Sequence, residues 1–208
     1  MLDTLAAVGN LLQYDREAIA QGQLWRPVTC HLAHFGLEHF VWDAAVFVLL
    51  AVLCWRLGWK RCLASLAAAT LAIPAVLWVL QPELPTYRGL SGLDSALYAT
   101  AAVALGRKLW ADGRRASAAA AIGSLAALFA KVAYELATGQ ALFVDAAGMG
   151  FLPVPLAHAT GGLVGMLATL GSGDHEYRRL DGARHRREAL ARGGLVVPPE
   201  PAGEPIRE

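Results

Sequence analysis

Long apolar runs separated by short polar turns dominate the hydrophobic pattern of this chain. A helix needs about 20 mostly apolar residues to cross the hydrocarbon core of a bilayer, and five stretches meet that requirement. They run roughly over residues 38–57, 60–80, 91–110, 116–138 and 149–171. The pattern therefore predicts an all-α membrane protein, a helical bundle with five transmembrane helices.

The two ends of the chain differ from this core. Residues 1–24 contain one short apolar run, Leu5 to Leu12, which cannot cross a bilayer. Residues 172–208 are rich in Arg, Pro and Glu and lack hydrophobic periodicity, a composition typical of disorder. We predict an N-terminal segment at 1–24, a membrane domain at 25–171 and a disordered tail at 172–208.

Positive charge is distributed unevenly between the predicted loops. Of the 18 Lys and Arg residues, 14 lie in the loops at 56–61 and 107–115 or in the tail. Only Arg16, Arg26 and Arg88 belong to the opposite side. Because Lys and Arg accumulate in cytoplasmic loops, we predict a multi-pass protein with a cytoplasmic C-terminus.

The overall composition narrows the function classes. With 56% hydrophobic and 17% charged residues, the chain is too apolar for an ordinary soluble domain. The net charge is +1 and no basic stripe is interleaved with aromatic residues, so no nucleic-acid partner is expected. Cys30, Cys54 and Cys62 lack metal-site spacing, and we interpret them as small apolar core residues.

A serine lies where the third predicted helix begins, in the segment Gly89-Leu90-Ser91-Gly92. A helix N-terminus offers unpaired N–H groups and the positive end of the helix dipole, which can stabilise an oxyanion. The flanking glycines allow a sharp turn and the close approach of a substrate carbonyl. A helix-capping serine beside a loop is the alternative interpretation.

A histidine lies inside the last predicted helix. His158 shares one helical face with Gly161, Gly162 and Gly165, and faces of small residues allow helices to pack closely. The helix that starts at Ser91 carries a matching stripe of small residues. The pattern therefore predicts that the two helices pack closely enough for a Ser–His pair. A packing histidine bonded to a carbonyl is the alternative.

A polar cluster precedes and opens the first predicted helix. Trp25-Arg26 is followed by His34, His39 and Asp43, of which the last two share a helical face. Donors at this position would stabilise the charge that develops on a scissile carbonyl. Interfacial anchoring, or histidine ligation of a metal or haem, are the other interpretations.

Three further charged residues lie within the predicted helices. Asp94 follows Ser91 by one turn; it is either a third catalytic residue or, as we favour, a first-turn hydrogen-bonding residue. Lys131 and Glu135 are four residues apart near the outer end of their helix. We interpret them as a local ion pair or as snorkelling side chains.

In combination, WRxxTxxxxHxxxxHxxx(N), GxSG and AHxxGxxxG resemble the signature of the rhomboid family of intramembrane serine proteases, with Asp43 standing at the (N) position. These motifs span residues 25–43, 89–92 and 157–165. The resemblance implies a rhomboid-like bundle, with Ser91 as nucleophile and His158 as general base. It also implies that the first of the family's usual six helices is absent or truncated, and that no cofactor or metal is needed.

The resemblance implies supporting roles as well. His39 matches the oxyanion-hole histidine and His34 the structural histidine of the preceding loop. Asp43 stands where the family has asparagine, and Ser95 where many members have tyrosine. We expect Asp43 to be either a protonated donor, which we favour, or an ionised partner of the two histidines.

The stretch YDREAIAQGQLWR and the segment RGLSG look more like the rhombosortase branch of that family. That resemblance implies a bacterial inner membrane. It also implies a single-pass transmembrane protein substrate that ends in a Gly-Gly motif, a helix and a basic end. Two rival hypotheses remain: an inactive rhomboid-like protein that binds clients, and a haem or metal protein using His34, His39 and His158.

Overall fold

The computed structural model describes residues 2–140 and 154–171, which form a set of packed helices with one short strand pair. The predicted tail at 172–208 lies outside the described residues. The helical prediction is confirmed, with a small β pair added. The elements are α1 (Leu2–Leu12), β1 (Tyr14–Asp15), α2 (Arg16–Ala20), α3 (Arg26–Thr29), a 3-10 turn (Cys30–Leu32), α4 (Leu37–Leu80), β2 (Thr86–Tyr87), α5 (Ser91–Ala111), α6 (Arg115–Thr138) and α7 (Pro155–Leu170).

The long element α4 is a pair of helices joined at Gly58. The backbone there leaves the helical region, with φ at 158°, a conformation that favours glycine. Asp43 and Ile73, one from each part, both lie beside the start of α5, whereas Cys54 contacts the middle of α5. The two parts therefore run antiparallel, and the reversal lies in the gap predicted between the first two spans.

The central helix is α5, which packs against α4, α6 and α7. Its Thr100 is fully buried and donates a hydrogen bond in a network that joins three helices. The Thr100 Oγ1 lies 2.8 Å from Ser65 Oγ of α4 and 3.3 Å from the Gly165 carbonyl oxygen of α7. Because buried polar groups are costly unless they are paired, this network fixes the three helices in one register.

Backbone contacts join α5 to α7. A Cβ atom added at Gly161 would lie 2.0 Å from the carbonyl oxygen of Gly92, and one added at Gly165 would lie 2.1 Å from that of Ala96. Neither position has room for a side chain, since real Cβ atoms never come so close. This seam of small residues, Gly92 and Ala96 against Gly161 and Gly165, sets the distance between the two helices.

Two described helices are long and apolar enough to cross a membrane, α4 and α6, and α7 is a shorter apolar helix. Only 28% of the most apolar stretch of α4 and 17% of that of α6 is buried inside the protein, so these are not core helices of a soluble domain. The apolar surface instead suits lipid. The predicted span α5 is outside this set, because it carries Asp94, Arg107 and Lys108.

The last helix begins later than the sequence pattern predicted. The expected span was 149–171, but α7 starts at Pro155, and Val154 before it is not helical. Proline suits the first position of a helix because its fixed φ is already helical and its missing N–H would be unpaired there. Residues 149–153 of the predicted span lie outside the described residues.

The N-terminal segment is attached to the loop that precedes α5. In the antiparallel pair of β1 with β2, Tyr14 lies opposite Tyr87. Next to it, the Arg88 guanidinium donates hydrogen bonds to Gln13 Oε1 at 2.7 Å and Asn10 Oδ1 at 2.6 Å. These contacts hold the backbone just before Ser91, so the segment predicted at 1–24 helps to position the candidate nucleophile.

Candidate active site

Ser91 and His158 meet where α5 and α7 begin. The Ser91 Oγ lies 3.0 Å from His158 Nε2, which is hydrogen-bond distance. Ser91 is the first residue of α5, and His158 lies in the first turn of α7. Because Gly161 is one turn beyond His158 and contacts Gly92, next to Ser91, the seam of small residues holds the pair together.

The loop before Ser91 has a conformation that only glycine adopts readily. Gly89 has φ at 119°, in the region that other residues rarely occupy. Its N–H donates to the carbonyl oxygen of Cys30 at 3.2 Å. The next N–H, of Leu90, donates to Asp43 Oδ2 at 3.2 Å. The turn is thus fixed on both sides of the bend that aims Ser91 at His158.

The first turn of α5 supplies a site for negative charge. The first intrahelical hydrogen bond at this end runs from Asp94 N to the carbonyl oxygen of Leu90. The N–H groups of Ser91, Gly92 and Leu93 therefore have no acceptor within the helix, as at every helix start. Together with the positive end of the helix dipole they favour an anion beside Ser91.

On the α4 side, two histidines share one carboxylate oxygen. Asp43 Oδ2 lies 3.2 Å from His39 Nε2 and 3.4 Å from His34 Nε2, and it accepts the Leu90 N–H as well. The Leu90 N–H makes this oxygen an acceptor, whereas the other ring nitrogen of His34, Nδ1, lies 3.2 Å from the Leu32 carbonyl oxygen. This geometry makes Asp43 an acceptor for the Leu90 N–H, and its role as a protonated donor or as an ionised partner of the histidines stays a prediction.

On the α6 side, Glu135 contacts His158, although the sequence predicted for it only a local ion pair with Lys131. Glu135 Oε2 lies 3.2 Å from His158 Nδ1, the ring nitrogen opposite the one that meets Ser91. Glu135 Oε1 forms the expected ion pair with Lys131 at 2.6 Å. The Lys131 Nζ is also 3.3 Å from His158 Nδ1. The signal available in the sequence was a carboxylate inside a membrane helix, which is costly and commonly functional.

Asp94 and Ser95 line a cavity that reaches the Ser–His pair through Ser95, which bonds to Ser91, and Lys131, which contacts His158. The cavity has a volume of about 680 Å³ and lies between α4, α5 and α6, with Val46 and Leu128 among its apolar lining residues. The Ser95 hydroxyl donates to the Ser91 carbonyl oxygen at 2.9 Å. The nitrogen Nδ1 of His158 is occupied by Glu135 and Lys131, so the position that a triad role for Asp94 would require is filled by another carboxylate.

The three histidines considered as metal or haem ligands fall into two separate groups. His34 and His39 lie against Asp43, whereas His158 contacts Ser91 and Glu135. Within residues 2–140 and 154–171, no group of three or more His, Cys, Asp or Glu side chains is arranged to hold a metal ion.

Comparison with known proteins identifies the family to which this geometry corresponds. The family model described as the Rhomboid domain matches residues 21–173, which is well over half of the chain. No curated relative and no solved structure matches the chain at a significant level.

Proposed function

The chain belongs to the rhomboid family of intramembrane serine proteases, and on that premise we propose that Ser91 and His158 are its catalytic dyad. The observation that carries the proposal is the 3.0 Å contact between Ser91 Oγ and His158 Nε2. A serine hydroxyl is a weak nucleophile until an adjacent base accepts its proton, and this contact supplies the base.

The chemistry follows from the positions of these two side chains. Ser91 Oγ attacks the carbonyl carbon of the scissile peptide bond while its proton passes to His158 Nε2. The tetrahedral intermediate collapses, the C–N bond breaks, and the imidazolium of His158 gives the proton to the departing amine. Water then attacks the acyl-enzyme with His158 again as base, which releases the carboxylic acid and restores Ser91.

We assign stabilisation of the oxyanion first to backbone N–H groups. The N–H groups at the start of α5 lie on the nucleophile's own residue and its neighbours, where a preorganised donor is most effective. His39, the other candidate donor, has Nε2 3.2 Å from Asp43 Oδ2. We assign it a second contribution, made when a substrate oxygen competes with that carboxylate for the Nε2–H group.

Rhomboid proteases act on transmembrane substrates within the membrane, and the cavity beside Ser91 suits such a substrate. Val46 and Leu50 of α4 and Leu128 of α6 give it mainly apolar walls, which match the side chains of an unwound membrane segment. We propose that a single-pass transmembrane protein enters between α4 and α6 and presents its peptide bond to Ser91.

The finer assignments rest on sequence features. The segments YDREAIAQGQLWR and RGLSG support the rhombosortase branch and, with it, processing of C-terminal Gly-Gly sorting tails of exported bacterial proteins. The excess of Lys and Arg in the loops at 56–61 and 107–115 and in the tail supports a multi-pass protein in the bacterial inner membrane with a cytoplasmic C-terminus.

Labelling with a fluorophosphonate tests the proposal, because this reagent reacts preferentially with an activated serine. We expect labelling of the wild type and none of Ser91→Ala or His158→Ala. Ser124→Ala is the matched control, because its hydroxyl bonds to the Ala121 carbonyl within α6; it should label like the wild type. Labelling that persists in Ser91→Ala and disappears in Ser95→Ala would contradict the assignment.

A further inference from the structure

Both nitrogen atoms of the His158 imidazole have polar contacts. Nε2 meets Ser91 Oγ at 3.0 Å, and Nδ1 meets Glu135 Oε2 at 3.2 Å. The Glu135 side chain is only 1% exposed. We propose that Glu135 is a positioning residue that makes the Ser91–His158 pair a three-residue chain, by accepting a hydrogen bond from Nδ1–H. The inference rests on the proposed function of that pair.

The position of the ring proton decides whether His158 can act as a base. A neutral imidazole carries one proton, and the nitrogen without it is the acceptor. Only the form with hydrogen on Nδ1 leaves an Nε2 lone pair for the Ser91 proton. A carboxylate at Nδ1 accepts and cannot donate, so Glu135 selects the competent form.

Lys131 makes this selection necessary. Its ammonium group lies 3.3 Å from the same Nδ1, and an ammonium group can only donate. A hydrogen bond from Lys131 to Nδ1 would move the ring proton to Nε2, where it would block transfer from Ser91. Glu135 Oε1 binds Lys131 at 2.6 Å and so engages the ammonium group that competes for Nδ1.

Charge gives Glu135 a second effect. When His158 accepts the Ser91 proton it becomes a cation beside Lys131, and like charges in a poorly hydrated site repel strongly. The Glu135 carboxylate between them balances one charge. Lys131 in turn stabilises the buried carboxylate while the imidazole is neutral, because a buried ion needs a partner.

These relations predict a non-additive pair of substitutions. Glu135→Gln keeps the size of the side chain but leaves Lys131 opposed to the imidazolium, and it should lower kcat between about 100-fold and 10,000-fold, as loss of an orienting carboxylate does in serine proteases. Lys131→Met alone should lower kcat less than 10-fold. The double variant should be at least about 10-fold more active than Glu135→Gln, because the competing donor is gone.

The experiment measures fluorophosphonate labelling rates and peptide cleavage for the wild type, the two single variants and the double variant. Asp112→Asn is the matched control, since Asp112 pairs with Lys108 four residues away at an exposed site; it should match the wild type. A purely structural role would lower activity in proportion to lost folded protein, whereas the positioning role lowers kcat per folded molecule with KM unchanged.

Each outcome separates this inference from the function on which it rests. If the wild type does not label at Ser91, the proposed dyad fails. If it labels and Glu135→Gln labels at the wild-type rate, the dyad stands and the positioning role of Glu135 is overturned. If Glu135→Gln does not fold, the double variant is compared with Lys131→Met instead. The double variant must then be less active than Lys131→Met, and equal rates would overturn the inference.

Discussion

Two clusters of histidine and carboxylate lie near Ser91, one on α4 and one between α6 and α7, and their contacts differ. In the α4 cluster, Asp43 Oδ2 is shared by His34, His39 and the Leu90 N–H. In the α6–α7 cluster, the Glu135 carboxylate meets a single imidazole, and the opposite nitrogen of that ring faces a hydroxyl.

The two clusters differ in what the imidazole of each one connects. Both clusters contain an acid next to imidazole, and both are largely buried. In the α4 cluster the acid also fixes a backbone turn, which gives it a role in holding Gly89 and Leu90. In the other cluster the imidazole connects an acid to the candidate nucleophile Ser91, which is the arrangement that the proposed proton transfer requires.

Replacing one histidine from each cluster tests the comparison most severely. His158→Ala removes the base and should lower cleavage by at least about 1,000-fold. His34→Ala leaves the Ser91–His158 contact in place and should retain most activity. Cleavage assays on both variants, corrected for the amount of folded protein, give the ratio. Similar losses for the two would show that the clusters do not differ in function.

Gly161→Ala tests whether the seam of small residues determines the Ser91–His158 distance. The new Cβ would collide with the Gly92 carbonyl oxygen, so overpacking should cost about 1–3 kcal/mol of stability. A shift of about 1 Å between the reacting groups should also lower activity by about 100-fold.

Thermal unfolding and cleavage measured together check the Gly161→Ala prediction. Gly123→Ala is the control, because no atom lies within 4 Å of a Cβ added there. It should leave activity unchanged and raise stability by up to about 1 kcal/mol through helix propensity. An unaffected Gly161→Ala variant would mean that the seam does not set the distance.

Asp43→Asn should have the smallest effect. The amide oxygen still accepts the Leu90 N–H, and an ionised Asp43 would lose only its charged acceptor beside His39, at a cost of about 1.5–3 kcal/mol in stability. Cleavage should fall less than 10-fold. Asp15→Asn is the control, since Asp15 caps α2 through Ala18 N and asparagine caps equally well. A loss of activity as large as that of His158→Ala would place Asp43 in the chemistry.

The sequence pattern predicted much of the arrangement of helices and one of their closest contacts. Gly161 and Gly165 lie four residues apart on the face of His158, and periodicity alone predicted that this face meets the small residues after Ser91. The structure contains that contact, between Gly161 and Gly92 and between Gly165 and Ala96. The catalytic roles of Ser91 and His158 stay predictions. The gap between the first two spans also corresponds to the reversal at Gly58.

The partner of His158 could not be predicted in the same way. Lys131 and Glu135 are four residues apart, so a local ion pair accounts for both without reference to another helix. Hydrophobic periodicity does not reveal which face of α6 meets α7, because α6 is apolar around most of its circumference. The contact of Asp43 with the Leu90 N–H was not predicted for a related reason, since the two residues are 47 positions apart.

The backbone contact between α5 and α7 has a consequence for how this sequence can change over time. A side chain cannot be added at Gly161 or Gly165, whereas a lipid-facing position such as Leu167 only has to stay apolar. Substitutions should therefore accumulate freely on the outer surfaces while the seam stays fixed. In a library of all single variants, the positions that tolerate no substitution should form a narrow line along the seam, ending at Ser91 and His158.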